Sequence, residues 1–126
     1  MATNGQRTQG WRAKFQVALR GVVLGVHGQS SFFVHFFMAA IVCVAAWILN
    51  VEPWQWCLLL VAISLVLTAE MFNSALEWLC RAITEEHDPR VGNALDIGSG
   101  AVLIASIGAA LIGAIVFVPR LLAIIQ

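Results

Sequence analysis

The residues best suited to chemistry form a short polar stretch inside an otherwise apolar segment. Glu70, Asn73 and Glu77 follow one another at helical spacing, and Ser74 lies beside them. At 100° per residue these side chains fall within about 100° of arc on one helix face, and Glu77 lies about 10 Å along the axis from Glu70. An acid at the centre of a bilayer costs about 2.5 to 3.5 kcal/mol on insertion scales, so such acids indicate a task or a partner.

The stagger between the two acids suits a reaction between a water-soluble donor and a lipid hydroxyl. In this interpretation Glu70 accepts a proton as general base, and Glu77 with Asn73 holds a divalent cation through oxygen ligands. Two alternatives stay open. The acids form interhelical hydrogen bonds or ion pairs, for example between Glu77 and Arg81 four residues later, or Glu70 relays protons in an oligomeric ion-coupled carrier.

A second group of polar residues follows the stretch. Six of the seven acidic residues of the chain lie between positions 70 and 96, and the segment that separates the apolar stretches includes Glu86, His87 and Asp96. Asp96 is either the N-cap of the next helix or, with Ser99, the far wall of a site that faces the polar stretch. The residues alone leave both interpretations open.

The composition determines where this chemistry takes place. Of 126 residues, 60% are hydrophobic and 11% are charged, and the mean hydropathy is +0.87. A soluble domain carries roughly 25% charged residues, so a soluble enzyme is excluded. Because its formal net charge is zero, the chain lacks the electrostatic attraction that nucleic-acid binding needs. No nucleic-acid partner is therefore expected. One domain of this size encloses an active site poorly by itself, and we expect an oligomer.

Three apolar stretches organise the chain into a single membrane domain, 1–126. They cover residues 32–50, 54–80 and 97–119, and each approaches the roughly 20 apolar residues that span a bilayer core. Backbone hydrogen bonding in lipid favours helices. The sequence therefore predicts an all-α membrane protein with three transmembrane helices and a cytoplasmic loop at 81–96.

Residues 1–31 precede these stretches and are predicted to be a cytoplasmic segment with a surface helix. Trp11, Phe15, Ala18 and Val22 recur on one helical stripe, with basic residues mostly off it. A basic amphipathic helix of this kind lies on a membrane surface. The alternative is that the stripe packs against the protein itself.

Basic residues predict the orientation in the membrane. Six of the seven lie before the first span or between the second and third. Because cytoplasmic segments carry an excess of Lys and Arg, we expect a cytoplasmic N-terminus and an outside C-terminus.

The strings AEMFNSALEW (Ala69 to Trp78) and ALDIGSGAVL (Ala94 to Leu103) resemble the prokaryotic diacylglycerol kinase and undecaprenol kinase family, and the resemblance covers nearly the whole chain. It implies a homotrimeric enzyme of the bacterial inner membrane whose sites are shared between subunits. It also implies transfer of the γ-phosphoryl group of Mg-ATP to a lipid alcohol such as diacylglycerol or undecaprenol.

The resemblance also assigns roles to single residues. Glu70 matches the family's general base, Glu77 matches its metal ligand, and Asn73 and Asp96 match polar positions of the same site. The expected site therefore comprises Glu70 as the catalytic residue, Glu77, Glu86, His87 and Asp96 as ATP-binding residues, Glu77 and Gln29 as Mg²⁺ ligands, and Glu70, Asn73 and Ser99 as lipid-binding residues.

Three positions depart from the family pattern. Gln29 stands where the family usually has Glu, Arg81 where it has Asp, and Leu95 where it has Lys. Because phosphoryl transfer depends on neutralising phosphate charge, the sequence allows a second hypothesis, a catalytically impaired or repurposed member that binds lipid or partners. Under the kinase hypothesis, Arg81 or Arg90 replaces the missing cation.

Overall fold

The computed structural model describes residues 10–27, 29–83 and 85–126, and in these ranges the chain forms four α-helices and no strand. The helices are α1 (Trp11–Val26), α2 (Ser30–Ile48), α3 (Pro53–Ile83) and α4 (Pro89–Ile125). The last three are long and apolar enough to cross a membrane. The predicted all-α class with three long apolar helices is confirmed.

Helix α3 is the central element. It packs along α4 more extensively than on α2 or α1, and 33% of its apolar window is buried, against 11% for α2 and α4. Helices α2 and α4 therefore keep most of their apolar side chains exposed, as helices that contact lipid do. The side chains of the polar stretch therefore lie on the best enclosed helix of the chain.

Helix α1 touches the rest of the chain near its C-terminal end. A Cβ at Gly25 would lie 2.6 Å from Met71 Sδ, so the absence of a side chain there permits the close approach of α1 to α3. The predicted stripe does not pack on the protein, since Trp11, Phe15 and Val22 are exposed. Residues 1–9, with the predicted cytoplasmic Arg7, lie outside the described residues. The membrane-surface position of α1 stays a prediction.

A short turn joins α2 to α3 and is held by α4. Asn50 adopts a φ of 50°, in the left-handed region that Asn tolerates better than most residues. Pro53 opens α3, where its missing N–H costs no helix hydrogen bond. The Arg120 guanidinium donates hydrogen bonds to the carbonyl oxygens of Leu49 and Asn50, at 3.3 and 2.8 Å, and to Gln55 Oε1 at 3.2 Å.

Helices α3 and α4 are longer than the predicted spans, whereas α2 has the predicted length of 19 residues and begins two residues earlier. The segment 81–96 was predicted as a loop, but helix covers 81–83 and resumes at Pro89, while Thr84 lies outside the described residues. Hydropathy located the apolar residues, whereas α4 begins earlier because Asp88 caps it and a proline is favourable at the first helical position. Helix α4 also continues through Pro119 to Ile125, since loss of one backbone donor is tolerated in an apolar helix.

Candidate active site

Glu70 is the only charged residue that is buried within the described part of the chain, with 3% of its surface exposed. Its Oε1 lies 3.9 Å from Nε2 of His35 on α2. That separation exceeds a hydrogen bond, and the contact becomes an ion pair only when the imidazole is protonated. A buried carboxylate with a titratable neighbour is a suitable proton acceptor.

His35 is the site residue to which sequence reasoning assigned no function. It is the one ionisable side chain in the first apolar stretch, and this isolation was a usable signal. The identity of its partner was not predictable from α2 alone, because the contact depends on how α2 rotates against α3. His35 thus joins Glu70 as part of the candidate site.

Glu77 receives donors from two parts of the chain. Gln29 Nε2, directly before α2, donates to Glu77 Oε2 at 2.7 Å, and Asn73 Nδ2 donates to Oε1 at 3.4 Å. An Arg81 guanidinium nitrogen lies 3.6 Å from Oε2. The two residues predicted as Mg²⁺ ligands, Gln29 and Glu77, therefore lie in direct contact, and the ion pair with Arg81 that the alternative interpretation invoked is observed.

Asn73 is oriented by the close packing of α3 on α4. A Cβ at Gly98 would lie 2.6 Å from Asn73 Oδ1 and 3.0 Å from a methyl group of Leu76, so only glycine leaves space for the amide. Asn73 Oδ1 is buried and has no hydrogen-bond partner among the described residues. A buried acceptor of this kind calls for an explanation, and a ligand bound beside Glu77 would provide one.

A groove of 340 Å³ runs between the end of α3 and the start of α4. We call it the polar groove, and it is lined by Glu77, Cys80, Arg81, Glu86, Val91, Leu95 and Ser99. It brings together three of the predicted site residues, Glu77, Glu86 and Ser99. His87 and Asp96 are exposed and do not line it.

The start of α4 settles the question of its N-cap. Asp88 Oδ1 accepts a hydrogen bond from the backbone N–H of Arg90 at 2.8 Å, and the Arg90 side chain donates to both carboxylate oxygens, at 3.3 and 3.1 Å. The hydrogen bonds from the Arg90 side chain lower the pKa of Asp88 most, and the bond from the Arg90 backbone N–H lowers it further. Asp96 lies two turns inside the helix, so the alternative that it caps α4 was wrong.

An apolar cleft of 330 Å³ opens between α2 and α4, with α3 as its floor. Its lining residues are Val34, His35, Met38, Ala39, Val42, Ile63, Val66, Leu67, Ser106, Ala109, Ala110, Gly113 and Phe117. His35 is the one titratable residue among them, and the same side chain faces Glu70. The apolar cleft therefore ends beside the buried carboxylate.

The donors around Glu77 determine which metal the site suits. Within the described residues no three His, Cys, Asp or Glu side chains lie close enough together to hold an ion. Mg²⁺ in nucleotide sites needs only one or two carboxylates when phosphates complete its shell. Glu77 and a rotated Gln29 amide are hard oxygen donors, and Asn73 adds its oxygen when its amide turns away from Gly98. These residues therefore fit Mg²⁺ that arrives with a nucleotide.

Sequence similarity relates the chain to a known protein family. The family model for prokaryotic diacylglycerol kinase matches residues 16–117. An undecaprenol kinase from Bacillus subtilis (strain 168) is 26% identical over 107 residues, which cover 85% of this chain and 87% of the relative. A diacylglycerol kinase from Synechocystis sp. is 31% identical over 111 residues, which cover 87% of this chain and 63% of the relative.

The match includes most of α1 and all of the polar stretch, the polar groove and the apolar cleft. Three apolar helices together with this membership make the chain an integral membrane protein. The chain belongs to the prokaryotic diacylglycerol kinase family.

Proposed function

We propose that this protein is a membrane lipid kinase that transfers the γ-phosphoryl group of Mg-ATP to a lipid alcohol of the diacylglycerol or undecaprenol type. The observation that carries the proposal is the position of Glu70. This buried carboxylate lies beside the apolar cleft through its contact with His35, and it shares a face of α3 with Glu77 in the polar groove. A lipid and a nucleotide can thus approach one helix face from two sides.

The acceptor lipid places its hydrocarbon in the apolar cleft and its hydroxyl at Glu70. As the hydroxyl oxygen attacks the γ-phosphorus, its proton passes to a carboxylate oxygen of Glu70. An O–P bond forms on the lipid, the bond from the γ-phosphorus to the bridging oxygen breaks, and that electron pair leaves with ADP. Burial keeps the carboxylate away from water until the lipid hydroxyl is in place.

The polar groove holds the nucleotide. Glu77, with the amides of Gln29 and Asn73 in contact with it, provides the oxygen atoms for Mg²⁺, which when bound neutralises phosphate charge. Ser99 and Glu86 line the same groove, and in this proposal they contact the nucleotide or the lipid head group. The nucleotide-binding roles of His87 and Asp96 stay predictions that rest on the family resemblance.

The same proposal includes location and assembly. Basic residues before α2 and around the α3–α4 connection support a bacterial inner-membrane protein with a cytoplasmic N-terminus and an outside C-terminus. Both the polar groove and the apolar cleft are open on one side in a single chain, and the many exposed apolar side chains leave surface for subunit contact. A homotrimer with shared sites is the assembly that we propose.

Purified protein in lipid nanodiscs tests the function. It is incubated with γ-labelled ATP, Mg²⁺ and a panel of acceptors that includes diacylglycerol, undecaprenol and other long-chain alcohols. We expect label in at least one lipid and none without acceptor. A folded oligomer that labels no alcohol with ATP and Mg²⁺ saturating would contradict the proposal.

A second function is favoured by the donors around Glu77. Because Gln29 brings no charge and Arg81 already pairs with this carboxylate, the chain is alternatively a family member that binds lipid or partners without catalysis. In that case the native chain is inactive, and the pair Gln29→Glu and Leu95→Lys creates activity. Activity of the native chain in the lipid assay excludes this second function.

A further inference from the structure

The polar groove contains a cation that the family resemblance does not account for. A nucleoside triphosphate carries several negative charges, and phosphoryl transfer depends on cations that neutralise them. Among the residues that line the groove, two are acidic, Glu77 and Glu86, and one is basic, Arg81. Leu95 places an apolar side chain on the opposite wall. Within the described residues of one chain, Arg81 is therefore the cation that lines this groove.

Arg81 and Arg90 differ in what their guanidinium groups already bind. Arg90 donates from Nε and a terminal nitrogen to Asp88 at 3.3 and 3.1 Å, it is 91% exposed, and it does not line the groove. Arg81 meets Glu77 at 3.6 Å, which is longer than a charge-assisted hydrogen bond of about 2.7–2.9 Å. The geometry therefore distinguishes two arginines that the sequence left equivalent.

We propose that Arg81 is the phosphate-binding residue of the polar groove and that it exchanges Glu77 for the nucleotide's terminal phosphates. This inference rests on the proposed kinase function and deepens it. Without nucleotide, the guanidinium and the Glu77 carboxylate neutralise each other. When the phosphates bind, the planar guanidinium donates hydrogen bonds to them in a bidentate arrangement, and the Glu77 carboxylate becomes free to ligate Mg²⁺.

Position 81 is well placed for such an exchange. The Arg81 side chain is 73% exposed and the Glu77 side chain is 29% exposed, so the arginine can turn toward the groove without breaking a packed core. An exposed ion pair of this kind contributes little to stability because water and salt screen the two charges. The pair is therefore weak enough for a charged ligand to separate.

Nucleotide binding to the full chain in lipid nanodiscs tests the inference. Equilibrium dialysis measures the Kd for Mg-ATP and for AMP in the wild type, Arg81→Gln, Arg81→Lys and the matched control Arg90→Gln. We expect Arg81→Gln to raise the Kd for Mg-ATP tenfold or more and to leave the Kd for AMP within about threefold. The Kd of Arg81→Lys for Mg-ATP should be intermediate, because a point charge replaces a bidentate guanidinium. The Kd of Arg90→Gln should stay within about twofold of the wild-type value.

A rescue variant distinguishes a direct phosphate contact from a structural role. Leu95 faces the same groove from α4, so Leu95→Lys in the Arg81→Gln background should restore at least part of the lost Mg-ATP affinity. The inference would be overturned if Arg81→Gln lost equal affinity for Mg-ATP and for AMP. It would also be overturned if Arg81→Gln and Arg90→Gln lost equal affinity for Mg-ATP. Unchanged Mg-ATP binding in Arg81→Gln would overturn it as well, and leaves the kinase function intact. A folded wild type that binds no Mg-ATP overturns both.

Discussion

The Gln29 amide nitrogen lies 2.7 Å from Glu77 Oε2 and connects the start of α2 to the C-terminal half of α3. The two residues are 48 positions apart in sequence. A neutral amide here donates a hydrogen bond to the carboxylate, whereas a second carboxylate would repel it. This contact therefore influences how strongly the site attracts a divalent ion.

Gln29→Glu should make the stability of the protein depend on metal. Two carboxylates at hydrogen-bond distance cannot both ionise without a cation or a shared proton, so the metal-free variant should melt at a lower temperature than the wild type. Added Mg²⁺ should restore the lost stability in the variant and change the wild type little. Thermal unfolding in detergent, with and without MgCl₂, measures both effects.

Gln29→Ala is the matched control for this experiment. It removes the hydrogen bond to Glu77 and should lower the melting temperature without introducing a response to Mg²⁺. If Mg²⁺ stabilises the alanine and glutamate variants equally, the assigned contact between Gln29 and Glu77 is wrong.

Gly98→Ala tests the approach of α4 to Asn73. The added Cβ would lie 2.6 Å from Asn73 Oδ1, so the amide must move, and overpacking of this kind costs about 1–3 kcal/mol. Gly100→Ala is the control because its Cβ meets nothing within 4 Å, and it should be neutral or stabilising by up to about 1 kcal/mol. Chemical denaturation should show a lower free energy of unfolding for Gly98→Ala and an unchanged or higher one for Gly100→Ala. Equal stability of the two variants would contradict the packing described.

Arg120 should stabilise the turn at the other end of the bundle. Its guanidinium donates to two backbone carbonyl groups and to Gln55, so Arg120→Leu should lower the free energy of unfolding by about 1–3 kcal/mol. Arg120 also lies 3.8 Å from Glu52 Oε1. Arg120→Lys keeps this positive charge but cannot reach all three acceptors together, so an intermediate loss of stability is expected. A leucine variant as stable as the wild type would show that the turn does not need this residue.

Cysteine labelling checks the proposed orientation. In a chain whose Cys43, Cys57 and Cys80 are replaced by alanine, a membrane-impermeant maleimide should label Gln126→Cys in intact spheroplasts. It should label Glu85→Cys only after permeabilisation, because basic residues retain that connection in the cytoplasm. The reverse labelling pattern would show that the chain has the opposite orientation in the membrane.

The apolar helices were predictable because their signal is periodic and local, whereas their ends were not. Hydropathy placed the third span at 97–119, but Asp88 and Pro89 begin α4 eight residues earlier. Caps and prolines act through single backbone groups, which an average over apolar residues does not detect. The length of α4 matters for the site, because its first turns form one wall of the polar groove.

The candidate site was likewise predictable from the sequence only in part. The shared face of Glu70, Asn73 and Glu77 followed from helical spacing alone. The contact between His35 and Glu70 and the placement of Leu95 opposite Arg81 depend on how two helices rotate against each other. No periodicity within one helix specifies that rotation.

The most direct test of the account is the rate of phosphoryl transfer in Glu70→Gln. The variant keeps the shape of the side chain and removes its capacity to accept a proton, so the rate with Mg-ATP and an accepted lipid should fall by about 10²- to 10⁴-fold, with Mg-ATP binding unchanged. Glu85→Gln, which removes an exposed carboxylate outside the site, should retain the wild-type rate. A Glu70→Gln protein that labels lipid as fast as the wild type would contradict the central claim.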